Sequence, residues 1–278
     1  MKSSVRLLVG MILLLLTNCS NDFEEEFPIN GKLPVPIRLA ITEVNPQTRT
    51  IVNSMSDISV SNLGIYEVAE GNTAGTFPWT ATPLLSNTSP SGINGNQLTF
   101  SPKLYYPMGG QKVIFYGYYP KTTATGGSNY VTAPNNGVAP TYNFTLTGQE
   151  DIMYAASTPS GSNMPGATVA LTFNHKLTQI QLNISVLGTL LSGIKILGVK
   201  NTGSMNLETG IITYGSGTTD ITLSKSGLTA TSPIMVPADV PSYIVEATLL
   251  NLLLPRKYLI KPTSGNFQAG MIYTISLN

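Results

Sequence analysis

The chain has 278 residues, one cysteine, one histidine and a formal net charge of +1. Its length allows one or two domains with a substantial core. Charged residues make up 10%, against a usual ~25%, and no basic excess exists to hold nucleic acid. A lone Cys19 and a lone His175 exclude an internal disulfide and a His/Cys metal cluster. No phosphate-binding, dinucleotide-binding, zinc-protease or serine-hydrolase motif occurs. No enzymatic activity, cofactor or metal is therefore expected.

Lys2 and Arg6 precede an uncharged apolar run at residues 7–16. That run is too short to span a bilayer and has the length of a signal-peptide core. Leu16-Thr17-Asn18-Cys19 resembles a bacterial lipobox, with Asn18 in place of the usual small residue. Residues 1–18 then read as signal peptide and Cys19 as the site of lipidation; the alternative is a soluble secretory signal with an incidental cysteine. Residues 19–36 read as a tether, acidic through Asp22, Glu24, Glu25 and Glu26 and then Pro-rich.

Ile37, Leu39 and Ile41 alternate with polar or small residues and predict a first strand over 37–42. A loop follows through Asn45-Pro46, and Arg49 closes it before a second strand at 50–52. Further strands are expected at 58–68, 97–101, 113–119, 142–146 and 152–155, separated by loops rich in Gly, Ser, Asn and Pro. Within those loops, Trp79 in Phe77-Pro78-Trp79 is the best candidate for an exposed aromatic contact. Glu150-Asp151 reads as a solvated acidic turn, and the tyrosines read mainly as strand and core residues.

Residues 169–186 form the longest pattern. Val169, Leu171, Phe173, His175 and Leu177 hold odd positions, and Ile180, Leu182, Ile184 and Val186 even ones. The change of phase at Thr178-Gln179 demands a bulge or bend, so this strand is expected to serve both layers of a sandwich. His175 reads as a core or sheet histidine. Phe115, Phe144, Phe173, Leu182 and Ile184 are the predicted core. Strands continue at 194–199, 211–214, 221–223, 234–236, 243–249, 253–260 and 271–277. Short strands at this spacing predict an all-β sandwich architecture. The expected division is 37–187 and 188–278, with residues 157–166 as a rival boundary.

Several segments, in order, resemble the fimbrillin family. They are Gln47-Thr48-Arg49-Thr50, Leu63-Gly64-Ile65-Tyr66, Phe115-Tyr116-Gly117-Tyr118-Tyr119-Pro120, Gln149-Glu150-Asp151-Ile152-Met153-Tyr154-Ala155, Phe173-Asn174-His175-Lys176-Leu177-Thr178 and Gly270-Met271-Ile272-Tyr273-Thr274-Ile275-Ser276-Leu277. The resemblance implies two tandem transthyretin-like sandwiches in a subunit of a surface fimbrium of Gram-negative anaerobes. It implies lipidation at Cys19, transport to the outer membrane, and cleavage after Arg49 by an arginine-specific protease. The strand bearing Ile37, Leu39 and Ile41 would be displaced, and a strand of another subunit would fill its place. Met271, Tyr273, Ile275 and Leu277 mark this chain's own candidate donor strand.

The residues give this reading some support. An open slot beside unpaired backbone is a template for strand addition. No arginine occurs between Arg49 and Arg256, which suits a chain that meets such a protease; a lysine-biased composition explains the gap equally well. No strand follows Met271–Leu277, which favours a tip or anchor role over a stalk role. The competing reading is a non-polymeric surface lipoprotein that binds carbohydrate or protein. The receptor, on a host or bacterial surface, is not specified by the sequence.

Overall fold

Short strands, many with alternating apolar residues, recur between Arg38 and Ser276 in the described residues, 33–43, 58–162, 166–185, 187, 189–250 and 254–277 of a computed structural model. The first strands are β1 (Arg38–Glu43), β2 (Gly64–Ala69), β3 (Leu85–Thr88), β4 (Gly92–Asn94), β5 (Gln97–Thr99), β6 (Val113–Tyr119) and β7 (Tyr130–Val131). Then come β8 (Thr141–Thr145), β9 (Met153–Ala156), β10 (Thr168–His175), β11 (Leu177–Asn183), β12 (Leu191–Val199), β13 (Thr202–Asn206) and β14 (Ile212–Tyr214). The last are β15 (Thr219–Thr222), β16 (Lys225–Ser226), β17 (Ala230–Thr231), β18 (Ile234–Pro237), β19 (Tyr243–Leu249), β20 (Arg256–Ile260) and β21 (Ile272–Ser276). The protein is all-β, as its alternating pattern predicts.

These strands make four sheets. One has the order β3-β2-β6-β9-β10-β1-β5-β4; a second is β14-β13-β8-β7. A third is β16-β17-β11-β18 with β21 also on β11, and the fourth is β15-β12-β19-β20. Residues 35–278 make one compact unit. Within it, β13 and β14 lie after both candidate domain boundaries yet join β8, which lies before them, through pairs such as Gly203↔Phe144 and Met205↔Tyr142.

Among the described residues, three apolar cores hold the sheets together. The first packs Leu39, Ile41, Leu98, Leu171 and Phe173 against Ile65, Phe115 and Met153. The second covers the opposite face of β2 and β6, where Tyr66, Tyr116 and Tyr118 meet Tyr142, Phe144 and Met205. The third packs Ile180, Leu182, Ile184, Ile234 and Val236 against Ile194, Ile196, Ile221, Val245 and Ala247. All five predicted core residues are buried: Phe115, Phe144, Phe173, Leu182 and Ile184.

The phase change in the long strand is real. Odd positions are buried along β10, Lys176 interrupts the ladder, and even positions are buried from Ile180 onward. The two halves do not, however, serve two layers of one sandwich. β10 belongs to the eight-stranded sheet and the first core, whereas β11 belongs to another sheet and the third core. His175 and Leu177 keep one phase across Lys176; the phase changes over Thr178 and Gln179, both buried, and the strand beyond them has a new set of partners.

Two expected strands are shorter than the pattern suggests. Residues 58–68 begin with a 3-10 turn at Val60–Asn62, closed by Leu63 N–H donating to Val60 O, and the strand starts only at Gly64. β20 starts at Arg256, just after Pro255, which has no N–H to give a ladder; residue 253 lies outside the described residues. The predicted strand at 50–52 lies outside the described residues.

Two glycines fix how closely the strands of the first two cores stack. A Cβ on Gly117 would meet the Phe173 ring at 2.6 Å, and one on Gly64 would enter the Tyr118 ring. Aromatic rings thus lie directly over bare backbone in Leu63-Gly64-Ile65-Tyr66 and in Phe115-Tyr116-Gly117-Tyr118.

Candidate functional site

β1 is an interior strand. It runs parallel to β10, from Arg38↔Thr168 to Glu43↔Phe173, and antiparallel to β5 through Leu39↔Leu98 and Ala40↔Gln97. Ile37 N–H donates to Leu104 O at 2.9 Å and Ile41 N–H to Asn96 O at 2.8 Å; the Thr42 and Thr172 hydroxyls lie 3.0 Å apart. Leu39 and Ile41 are each 1% exposed in the first core, and Ile37 is half-buried at its margin. Removing this segment would bare ladder groups on both β10 and β5, and would leave the places of Leu39 and Ile41 open beside Phe115 and Leu171. Cys19 and Arg49 lie outside the described residues, as do residues 44–57 that follow β1.

Met271, Tyr273, Ile275 and Leu277 fall on and beside β21. That strand runs parallel to β11, from Gln179↔Ile272 to Asn183↔Ser276. Tyr273 and Ile275 pack against the third core, and Tyr273 meets Phe267 edge-on at 4.8 Å between centroids. In this chain the candidate donor strand therefore occupies a place in its own sheet. The arrangement mirrors β1: each half of the long strand has one parallel partner, from the early chain for β10 and the late chain for β11.

Three sequence segments meet at the joint between those halves. Lys176 N–H donates to Ile152 O at 2.8 Å, and His175 pairs with Met153 across the ladder. Gly270 N–H donates to Leu177 O at 2.8 Å, and Gln179 N–H to Met271 O at 2.9 Å. At the centre, His175 Nδ1 lies 2.9 Å from Asp151 Oδ1, with both side chains nearly inaccessible to solvent. His175 is thus a buried sheet histidine, as predicted, but Asp151 corrects the reading of a solvated acidic turn. Only Glu150 keeps that character: its carboxylate accepts from the N–H groups of Thr147, Gly148 and Gln149 and from the Thr147 hydroxyl. The adjacent acids have opposite fates: Glu150 folds back onto the backbone of residues 147–149, whereas Asp151 enters the joint beside His175.

Trp79 is also not a surface contact. It is 2% exposed, its ring 5.6 Å from Tyr66 and 5.2 Å from Tyr116 between centroids. The aromatic row continues through Tyr118, Tyr142 and Phe144, and burial drives the Tyr116 and Tyr118 hydroxyls up to about 12. The tyrosines are thus largely core residues. Among the described residues, no group of three or more His, Cys, Asp or Glu side chains is placed to hold a metal ion.

A slot filled by an early strand, and a joint built from three separated segments, describe a protein defined by how its strands are shared. The sequence profile of the fimbrillin-like family matches residues 48–278, and the chain belongs to that family. The fold resembles that of a candidate cell adhesion protein of Bacteroides uniformis, at 19% identity and a TM-score of 0.55, covering 88% of this chain and 93% of that one. A candidate cell adhesion protein of Bacteroides ovatus is similar at 18% identity, with a TM-score of 0.54 and 88% and 93% of the two chains covered. A fimbrial protein of Bacteroides vulgatus is similar at 13% identity and a TM-score of 0.52, with 87% and 95% covered. No curated protein matches the chain.

Proposed function

We propose that this chain is a structural subunit of a cell-surface fimbria that supports adhesion, delivered to the outer membrane as a lipoprotein acylated on Cys19. In this reading it consists of two sandwiches in tandem, with the hairpin of β13 and β14 lent to the first. The carrying observation is the position of β1. It is early in the chain, interior in its sheet, and followed within a few residues by Arg49. The matched family region begins at residue 48, so β1 lies before it. While the chain is continuous, β1 has a high effective concentration for its slot and excludes rivals. Cleavage after Arg49 makes it removable, and another subunit's strand then adds to β10 and β5 by main-chain hydrogen bonding. The place of β21 beside β11 supports a tip or anchor role over a stalk role, because the candidate donor strand is already used.

The expected result of brief digestion with an arginine-specific protease is one early cut, with a new N-terminus at Thr50. The uncut chain should remain monomeric by size analysis. The cut chain should form larger assemblies when fimbrial partner subunits are present. Preferential cutting at Arg256, or a cut chain that stays monomeric with those partners, would overturn the assembly reading. The alternative of a non-polymeric binder loses its strongest aromatic candidate with the burial of Trp79.

A further inference from the structure

One end of the third core carries four leucines in water. Leu190, Leu228, Leu250 and Leu254 are 45%, 58%, 66% and 78% exposed. They come from three connections: the one following β11, the turn between β16 and β17, and the two ends of the connection between β19 and β20. Backbone contacts place these together. Leu250 N–H donates to Leu190 O at 2.8 Å, and Ile184 N–H to Thr229 O at 2.8 Å. Lys225 Nζ donates to Leu191 O at 2.8 Å, and Leu191 pairs with Leu249 across the ladder.

This is the end where β11 finishes, and β1 begins at the other extreme of the same path. β1 runs parallel to β10, and β11 follows β10 with only Lys176 between them. Exposed leucines scattered singly need no explanation, but four gathered on adjoining loop tips mark an interaction surface.

The charge at this end selects the partner. Lys225 and Arg256 flank the leucines, and residues 184–193, 223–230 and 249–256 contain no Asp or Glu. On β19, Glu246 faces Lys257 at 4.0 Å. The four leucines lie in turns or bends outside the strands, and the sequence of those stretches contains no aromatic residue or methionine. Protein interfaces instead concentrate aromatics, Met and Arg at a packed centre, with Leu under-represented among their energetic anchors. Apolar tips with a cationic margin fit the boundary of a lipid bilayer, where leucines enter the acyl region and Lys and Arg remain at anionic headgroups.

We propose that the Leu190–Leu228–Leu250–Leu254 end is a membrane-binding surface that inserts into bilayers bearing anionic headgroups. This goes beyond the fimbrial reading and does not depend on it, since uncut monomer should bind.

The test uses the full chain with Cys19→Ala, so that a dye placed by Thr189→Cys reports only this end; a second label at Ser216→Cys, in an exposed loop, is the control. With vesicles of phosphatidylcholine and phosphatidylglycerol, the Thr189 dye should shift to the blue and be quenched by bromine-labelled lipid, while the Ser216 dye should not. Leu250→Ser with Leu254→Ser should weaken that response about tenfold or more. Arg256→Glu, which leaves every leucine in place, should weaken it on anionic vesicles alone. Both substitutions are at exposed positions, and unchanged thermal unfolding would show that the fold is intact. No blue shift, an equal shift on purely zwitterionic vesicles, or an equal shift at Ser216 would overturn the proposal. So would a shift that appears without vesicles and grows with protein concentration, because a second copy would then be covering the leucines.

Discussion

Replacing His175 with alanine is expected to cost about 3–5 kcal/mol of folding stability, the usual penalty for removing one partner of a buried, paired ionisable group. Asp151→Ala should cost a similar amount. The double variant should fall short of the sum, because each single change already breaks the same 2.9 Å contact. The penalty is large because this contact sits where residues 149–155, 173–178 and 270–271 meet, so its loss loosens three segments together. His175→Gln, which can still present an N–H to the carboxylate, should recover part of the loss. Denaturant unfolding of the four variants measures all of this. Strict additivity, or single costs below about 1 kcal/mol, the scale of an ordinary net hydrogen bond, would show that the pair does not brace the joint.

Glu67 should make the fold less stable as pH rises. It lies on β2 between Leu85 and Phe115, is 3% exposed, and its Oε1 has no hydrogen-bond partner among the described residues. Burial raises its carboxyl from 4.5 to about 7. The folded chain therefore keeps this proton up to about pH 7, while the unfolded chain releases it above about 4.5. Below 4.5 both states hold the proton and the group is neutral in the balance. Between 4.5 and 7 the unfolded state binds fewer protons, so stability falls with rising pH. Above 7 the loss levels off at about 3 kcal/mol. Glu67→Gln should remove this slope, gaining stability at pH 8 and little at pH 4. Parallel stability profiles for the two proteins between pH 4 and 8 would show that Glu67 ionises freely in the fold.

The joint was partly legible before any coordinates. The change of phase between Leu177 and Ile180 could be read because both halves of the strand bury one face against a deep core. What could not be read was that the halves would go to different sheets, because alternation gives the face of a strand but not its partners. Asp151 and Trp79 were misread for a related reason. A short acidic turn and an aromatic beside proline look the same in sequence whether they are solvated or packed, and here long-range neighbours decide: His175 for one, Tyr66 and Tyr116 for the other. β13 escaped notice because Thr202-Gly203-Ser204-Met205-Asn206 has one strongly apolar side chain. Its strand character comes from being held between β8 and β14.

The parallel pairing of β1 also sets an order in time. Thr42 meets Thr172, 130 residues further along the chain. β1 is among the earliest strands to be synthesised, yet it cannot complete its ladder until β10 exists. Closing so long a loop is slow, and contacts of high sequence separation form late in folding. During that interval Leu39 and Ile41 have no core to enter and are exposed to aggregation. The same lateness bears on the proposed assembly: if β1 docks after β6, β9 and β10 have paired, its removal would leave those three strands standing as a prepared surface.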